Sequence, residues 1–344
     1  MDFTALREAK KREFDDLLKV EIVGIINAPK KQNDSTISAM DLDPEEELLL
    51  CAGFQGGLSI IRTDSLHLQK PKSKTKKHTE HKGFNNIQWC AIDSRMFITT
   101  KIDETLTLWD SQKLAEIKSK KFENLKFVHW NQYHSTNPML AINEKKSVKI
   151  LDFRVGWEIC QTIKTDHIVS GFQWFPSSQH YLYSCDLSGF VTIFDIRSGS
   201  QKLLSKKISE NPLQNLKINI SSGGLETIVV DNKNYIYILD SIDLNETRPK
   251  IHLESNGFPK LFENYGDYLL IGNGDEDLNL INYRKTGGKS LEGFLRKPTC
   301  SVFFERKNEI LLGCTSFPLI VWSTNSTPYK NNIRMDFDTW SDEE

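Results

Sequence analysis

The residues most able to do chemistry are two histidine–aspartate sets. His81 lies upstream of Asp103, and His167 lies upstream of Asp186, with the thiol of Cys185 beside it. A nucleophile, a base and an orienting acid make a catalytic relay only when held within hydrogen-bond reach. Here the same residue types recur at comparable places along the chain, which favours a repeated hydrogen-bond network that fixes the backbone. Gly272-Asn273-Gly274-Asp275 resembles the start of a phosphate loop. A nucleotide fold requires a helix after it and a third glycine, whereas Leu278–Ile281 reads as another strand, so a turn is expected. The six cysteines (51, 90, 160, 185, 300 and 314) include no C-x-x-C pair. Cys51, Cys185 and Cys314 sit in apolar runs and are expected to be buried thiols. No metal-ligand cluster, nucleophile constellation or cofactor fingerprint emerges, so a non-enzyme without a cofactor is expected.

What positions these residues is a repeat. The clearest unit runs from Asn86 to Asp110 (NIQWCAIDSRMFITTKIDETLTLWD), with three short strands and a tight turn at Asp103. Its ending, Leu108-Trp109-Asp110, recurs in weaker form at Ile61, Leu151, Phe194, Leu239, Ile281 and Trp322. The period is about 40–45 residues, that of a four-stranded WD blade. Seven openings and seven endings predict an all-β, seven-bladed WD-repeat β-propeller over residues 21–326. Glu21–Ala28 (EIVGIINA) is the natural strand to close blade seven, because an open ring would leave an exposed edge. Trp109, Asp110, Asp103 and Asp186 are assigned to the network that holds the blades.

Residues 1–20 lie before the propeller. Residues 4–19 read as a helix, free of Gly and Pro, with Leu6, Phe14, Leu17 and Leu18 on one stripe. Such a helix docks on its own blades or on a partner. An acidic tail, 327–344, ends in MDFDTWSDEE. Asp-x-Arg follows an apolar strand end twice, at Asp195–Arg197 and Asp152–Arg154, and a guanidinium there would project from one rim. The alternative is a surface ion pair of little energetic weight.

The chain carries 44 basic and 46 acidic residues, a formal net charge of -2, and so has no global attraction for nucleic acid or anionic membrane. Residues 70–82 hold a lysine-rich run, expected as a solvated loop inserted between blades, or else as a nuclear address or a nucleic-acid contact. It has no aromatic residue for base stacking, which argues against a stacking platform for single strands, and the solvated loop is favoured over direct nucleic-acid binding. No apolar run reaches the length of a membrane span, and the charged start, Met1–Arg12, is no secretory signal. A nuclear or cytosolic protein is expected.

Four segments together resemble one family. They are ISAMDLDPEEELLLCAG (37–53), IQWCAIDSRMFITTKIDETLTLWD (87–110), IFDIRSG (193–199) and FDTWSDEE (337–344). The chain is similar to the Cockayne syndrome group A family, WD-repeat substrate receptors of cullin-4 RING ubiquitin ligases. The resemblance implies a nuclear receptor acting in transcription-coupled nucleotide excision repair. One rim and the N-terminal segment would dock on a damaged-DNA-binding protein 1 type adaptor, carried with cullin-4 and its RING subunit. Arg197 with Asp195, then Arg154, and the stripe of Leu6, Phe14, Leu17 and Leu18 would make that contact. The opposite rim would receive RNA polymerase II and a Cockayne syndrome group B type ATPase. Phe194 and Leu151 stand where the family motif has tryptophan. A generic WD scaffold in another nuclear complex is the alternative.

Overall fold

The computed structural model describes most of residues 21–323; residues 1–20 and 324–344, together with short internal stretches that include 27–35, 67–72, 132–138, 153–156, 212–218 and 254–260, lie outside it. The helical segment with Leu6, Phe14, Leu17 and Leu18, the tail, His81 and Arg154 therefore fall outside the described residues.

The described strands form seven four-stranded antiparallel sheets. Blade one is β2 (Ile37–Leu42), β3 (Leu48–Gly53), β4 (Gly57–Arg62) and β5 (Ser73–Lys77). Blade two is β6 (Phe84–Trp89), β7 (Met96–Lys101), β8 (Thr105–Asp110) and β9 (Ala115–Lys121). Blade three is β10 (Val128–Trp130), β11 (Met139–Glu144), β12 (Ser147–Asp152) and β13 (Glu158–Lys164). Blade four is β14 (Val169–Trp174), β15 (Tyr181–Asp186), β16 (Phe190–Asp195) and β17 (Gln201–Lys207). Blade five is β18 (Asn219–Ile220), β19 (Glu226–Val230), β20 (Tyr235–Asp240) and β21 (Ile251–His252). Blade six is β22 (Leu261–Tyr265), β23 (Tyr268–Gly272), β24 (Leu278–Asn282) and β25 (Gly287–Leu291). Blade seven is β26 (Pro298–Phe304), β27 (Glu309–Cys314), β28 (Leu319–Ser323) and β1 (Glu21–Ile26).

The expected closure is present. β1 runs antiparallel to β28, with Glu21 opposite Ser323 and Ile26 opposite Leu319. The innermost strands of neighbouring blades pack on one another, β2 on β6, β6 on β10, β22 on β26, and β26 back on β2. The second and third strands of each blade are almost wholly buried and read as short apolar runs, as strands covered on both faces must. Between blades the core is continuous: Leu50, Leu58 and Ile60 of blade one meet Phe84, Phe97 and Trp109 of blade two.

The lysine run departs from expectation. Residues 73–77 are no inserted loop but β5, the outermost strand of blade one, paired with β4 from Gly57↔Lys77 to Ile61↔Ser73. An outermost strand exposes one edge to water, so it tolerates a sequence with no apolar signal.

Antiparallel pairing sorts the turns onto two rims. The lower rim carries the turns between first and second strands and between third and fourth strands. The upper rim carries the turns between second and third strands and the crossings between blades.

Candidate functional site

On the lower rim, β16 ends at Asp195, whose extended backbone caps a single 3-10 turn, Ile196–Ser198. The Asp195 carboxylate accepts from the Arg197 N–H (2.9 Å), from Arg197 Nε (3.1 Å) and from Arg197 Nη2 (2.7 Å). These bonds from Arg197 hold the Asp195 carboxyl below the usual range and push the guanidinium up. Gly199 closes the turn at φ +68°, a conformation that costs a side-chain-bearing residue energy. The guanidinium also lies 5.6 Å above the Tyr181 ring and donates from Nη2 to Tyr181 Oη at 3.2 Å. Arg197 is thus held flat and still, with 54% of its side chain exposed. Preorganisation of this kind lowers the entropy lost when a partner carboxylate or carbonyl engages it.

The neighbours of Arg197 extend the feature into blade five. Tyr181 meets Phe175 edge-on at 6.4 Å, and Phe175 stacks on Tyr183 at 5.5 Å. Tyr183 donates its hydroxyl to the Ser241 carbonyl across the blade boundary. The Ser241 N–H in turn donates to the Leu225 carbonyl at 3.0 Å. Leu225 and Ile242 stand at this rim 57% and 83% exposed. An anchored arginine, aromatic rings and exposed aliphatic side chains on one rim are the composition of a protein-binding hot spot. Sequence patterns place Arg197 and Asp195 here but miss Tyr181, Phe175, Leu225 and Ile242. They lie in different blades, and no spacing rule joins them.

A third copy of the arginine motif has no aspartate to mark it in the sequence. Asn282 Oδ1 accepts from the Arg284 N–H at 3.0 Å, as Asp195 does for Arg197. Arg284, however, pairs with Glu226 (3.3 Å) and Asp267 (3.1 Å), and Arg248 joins Glu226 at 3.6 Å. That cluster clamps blade five to blade six, whereas Arg197 faces outward. Asp152 is buried at the end of β12.

The residues assigned to the blade network fall in unlike settings. In blade two, Trp109 is fully buried, donates from Nε1 to Thr99 Oγ1 at 2.9 Å, and stacks on Phe97 at 5.9 Å. Lys101 sits 5.5 Å over the Trp109 ring and pairs with Glu116 at 2.7 Å. Asp110 Oδ1 accepts from the Lys113 N–H at 2.8 Å. Asp103 occupies the middle of the β7–β8 turn, before Glu104 at φ 68°. Asp186 is not its counterpart. Asp186 is the last residue of β15, three residues before Gly189 at φ 86°, so its equivalent in blade two is Lys101. The two acids share a turn but not a register, because matching residue types along the chain takes no account of where each strand ends.

Asp186 Oδ1 accepts from the N–H groups of Ser188 (2.8 Å) and Phe190 (3.1 Å). His167 stacks on Phe190 at 5.9 Å and makes no hydrogen bond to Asp186, so the pair cannot relay a proton. Cys185 is buried, and burial pushes its thiol up to about 12, far from a reactive thiolate. Beside them lies a cavity of about 150 Å³ lined by Ser184, Asp186, Thr192, Phe194, Lys202 and His167.

Blade five holds a fuller network than blade four among the described residues. Asp231, the counterpart of Asp186, accepts from the Lys233 and Tyr235 N–H groups at 2.9 and 3.0 Å. Its second oxygen accepts from Ser209 (2.8 Å), Asn211 (3.0 Å) and Tyr237 (3.0 Å). Burial alone would raise this carboxyl, but the hydrogen bonds from Ser209, the Tyr235 N–H and Asn211 outweigh it and hold the pKa below the usual value. The signal present in the sequence is Asp231 itself, 45 residues after Asp186 by subtraction of their numbers.

Among the described residues, no group of three His, Cys, Asp or Glu side chains is placed to hold a metal ion. No helix among them is long and apolar enough to cross a membrane.

No protein-family model matches the chain. Among solved structures it is similar to the β-propeller domain of Cps50 (Swd1) from Myceliophteria thermophila, at 14% identity and a TM-score of 0.72, over 88% of this chain and 99% of that one. At that identity the likeness speaks for the fold. The chain is a seven-bladed, all-β propeller of the WD-repeat type.

Proposed function

We propose that this propeller is the substrate-recognition subunit of a nuclear cullin-4 RING ubiquitin ligase, acting in transcription-coupled nucleotide excision repair. The observation that carries the reading is the lower rim of blades four and five. There Arg197, fixed by Asp195 and Tyr181, stands beside exposed Leu225 and Ile242. A damaged-DNA-binding protein 1 type adaptor would seat on this rim. Two further features support it. The four segments that resemble the Cockayne syndrome group A family include Ile193–Gly199, the turn that presents Arg197. The pairing of Glu21 with Ser323 also brings residue 21 to the lower rim, the same rim as Arg197. Residues 1–20, with Leu6, Phe14, Leu17 and Leu18, would add a second point of contact there. Two linked contacts bind more tightly than either alone, because the second forms at high effective concentration. RNA polymerase II and its repair ATPase would then be received on the upper rim.

The test is capture of the purified adaptor by the wild-type protein, by Arg197→Ala, by Leu225→Asp/Ile242→Asp and by a form lacking residues 1–20. Circular dichroism establishes that each remains folded. Loss of about tenfold or more in adaptor affinity is expected for Arg197→Ala, in line with the cost of truncating a hot-spot arginine. Unchanged affinity in all three variants, or no binding by the wild type, overturns the reading and leaves the scaffold.

A further inference from the structure

We propose that the outer edge of blades one and two is a docking surface for the phosphate backbone of nucleic acid. The two outermost strands here are β5 (SKTKK) and β9 (AEIKSKK). Together β5 and β9 hold six lysines and one glutamate, in a chain whose net formal charge is -2. Six of the seven residues of β9 are exposed. Lys74 Nζ of β5 donates to the Gln112 carbonyl, just before β9, at 3.1 Å, and Lys118 and Lys120 of β9 line the other face of blade two, toward blade three. Lys74 lies opposite Ile60, whose side chain packs toward blade two.

Edge strands commonly carry lysine to prevent sheet-to-sheet pairing, so lysine alone means little. The comparison with other outer strands is what counts. In β17, Lys202 is paired with Asp166 at 3.0 Å, Lys207 with Glu210, and Lys206 donates to Asn245. In β13 the charges are mixed, Glu158 with Lys164. On β9, Lys118 lies over the Trp157 ring at 5.9 Å and Lys120 over Phe122 at 5.2 Å. Among the described residues Lys120 and Lys121 form no ion pair. Their charge is left available, while that of blade four is spent within the protein.

The geometry selects the anion. Residues two apart on one strand face stand about 6.7 Å apart, so alternate lysines form a row, suited to a linear polyanion. A membrane would call for apolar residues to insert, and β9 exposes only Ile117 among lysines. Trp157 is buried beneath Lys118 and offers no face to a base, so contact would be with phosphates and without sequence preference.

Fluorescence anisotropy with a labelled DNA duplex of arbitrary sequence tests the proposal without involving any adaptor. The wild type is expected to bind at low salt, with affinity falling as salt rises. Replacing Lys118, Lys120 and Lys121 together by Gln should weaken binding about tenfold and shallow the salt dependence by about 0.9 for each phosphate no longer neutralised. The Lys→Arg triple should retain it, and Gln at Lys202, Lys206 and Lys207 should leave it unchanged. Absence of binding at low salt, equal weakening by the blade-four triple, or equal capture by anionic phospholipid vesicles through the same lysines overturns it.

Discussion

Blades four and five use the same device at the same place and finish it differently. In each, an aspartate, Asp186 at the end of β15 or Asp231 just after β19, caps the following turn through two backbone N–H groups. In blade five the other oxygen is enclosed by Ser209, Asn211 and Tyr237. In blade four the residue matching Tyr237 is Thr192, which bonds instead to Ser205 at 2.9 Å, and the carboxylate lines a cavity. The backbone geometry is preserved by the two amide bonds alone. The enclosure is a separate addition that locks one blade and leaves its neighbour open. A buried acid in a repeat is therefore structural in proportion to the donors closed around it.

The strongest way to break this contrast is to remove the carboxylates. Asp231→Ala strands two amides and three side-chain donors, and should cost about 4 kcal/mol in denaturant unfolding. Asp186→Ala strands only the two turn amides next to solvent, and should cost about 1 kcal/mol. Equal losses would show that the enclosure adds nothing.

Acid sharpens the same difference. The Asp231 carboxyl is depressed in the folded state, so its stabilisation is present above the unfolded value of about 3.9 and is lost as pH falls through the folded one. Asp231→Asn should flatten the fall in stability below about pH 4, read as thermal midpoint against pH. Persistence of the wild-type slope would assign it to other carboxylates.

A smaller effect concerns the cavity. Phe194 stands where blade two has Trp109, so Phe194→Trp should fill the void and let the indole reach Ser184 as Trp109 reaches Thr99. A gain of up to about 1 kcal/mol is expected, since buried indole and cavity filling both contribute. The reverse change, Trp109→Phe, should cost about 2 kcal/mol by opening a cavity and leaving Thr99 without its donor.

The ring was legible because period and apolar runs belong to the second and third strands, which every blade buries. Outer strands were not, since β5 carries no apolar pattern and Ser73 and Lys74 stand exposed on it. The Asp195–Arg197 turn was legible as a local motif, and its geometry follows from three adjacent residues. Its partners were not, because Tyr181 and Phe175 meet only when β14 and β15 pair, and Leu225 joins them only across the boundary with blade five. Asp103 and Asp186 were misaligned for a related reason. Residue type repeats along a sequence, but register is set by where a strand ends.

Closure of the ring also has a consequence in time. Glu21 pairs with Ser323, a partner about 300 residues later by subtraction. At roughly 5–20 residues per second, the ribosome would complete that partner roughly 15–60 s after making β1. Through that interval β1 has no sheet to join and blade seven does not exist. The six earlier blades can form as each emerges, but the circle stays open until β28 has been made. Whatever shields the apolar run of β1 during those seconds, a chaperone or a transient strand pairing, governs the yield of folded protein as much as the stability of the finished ring.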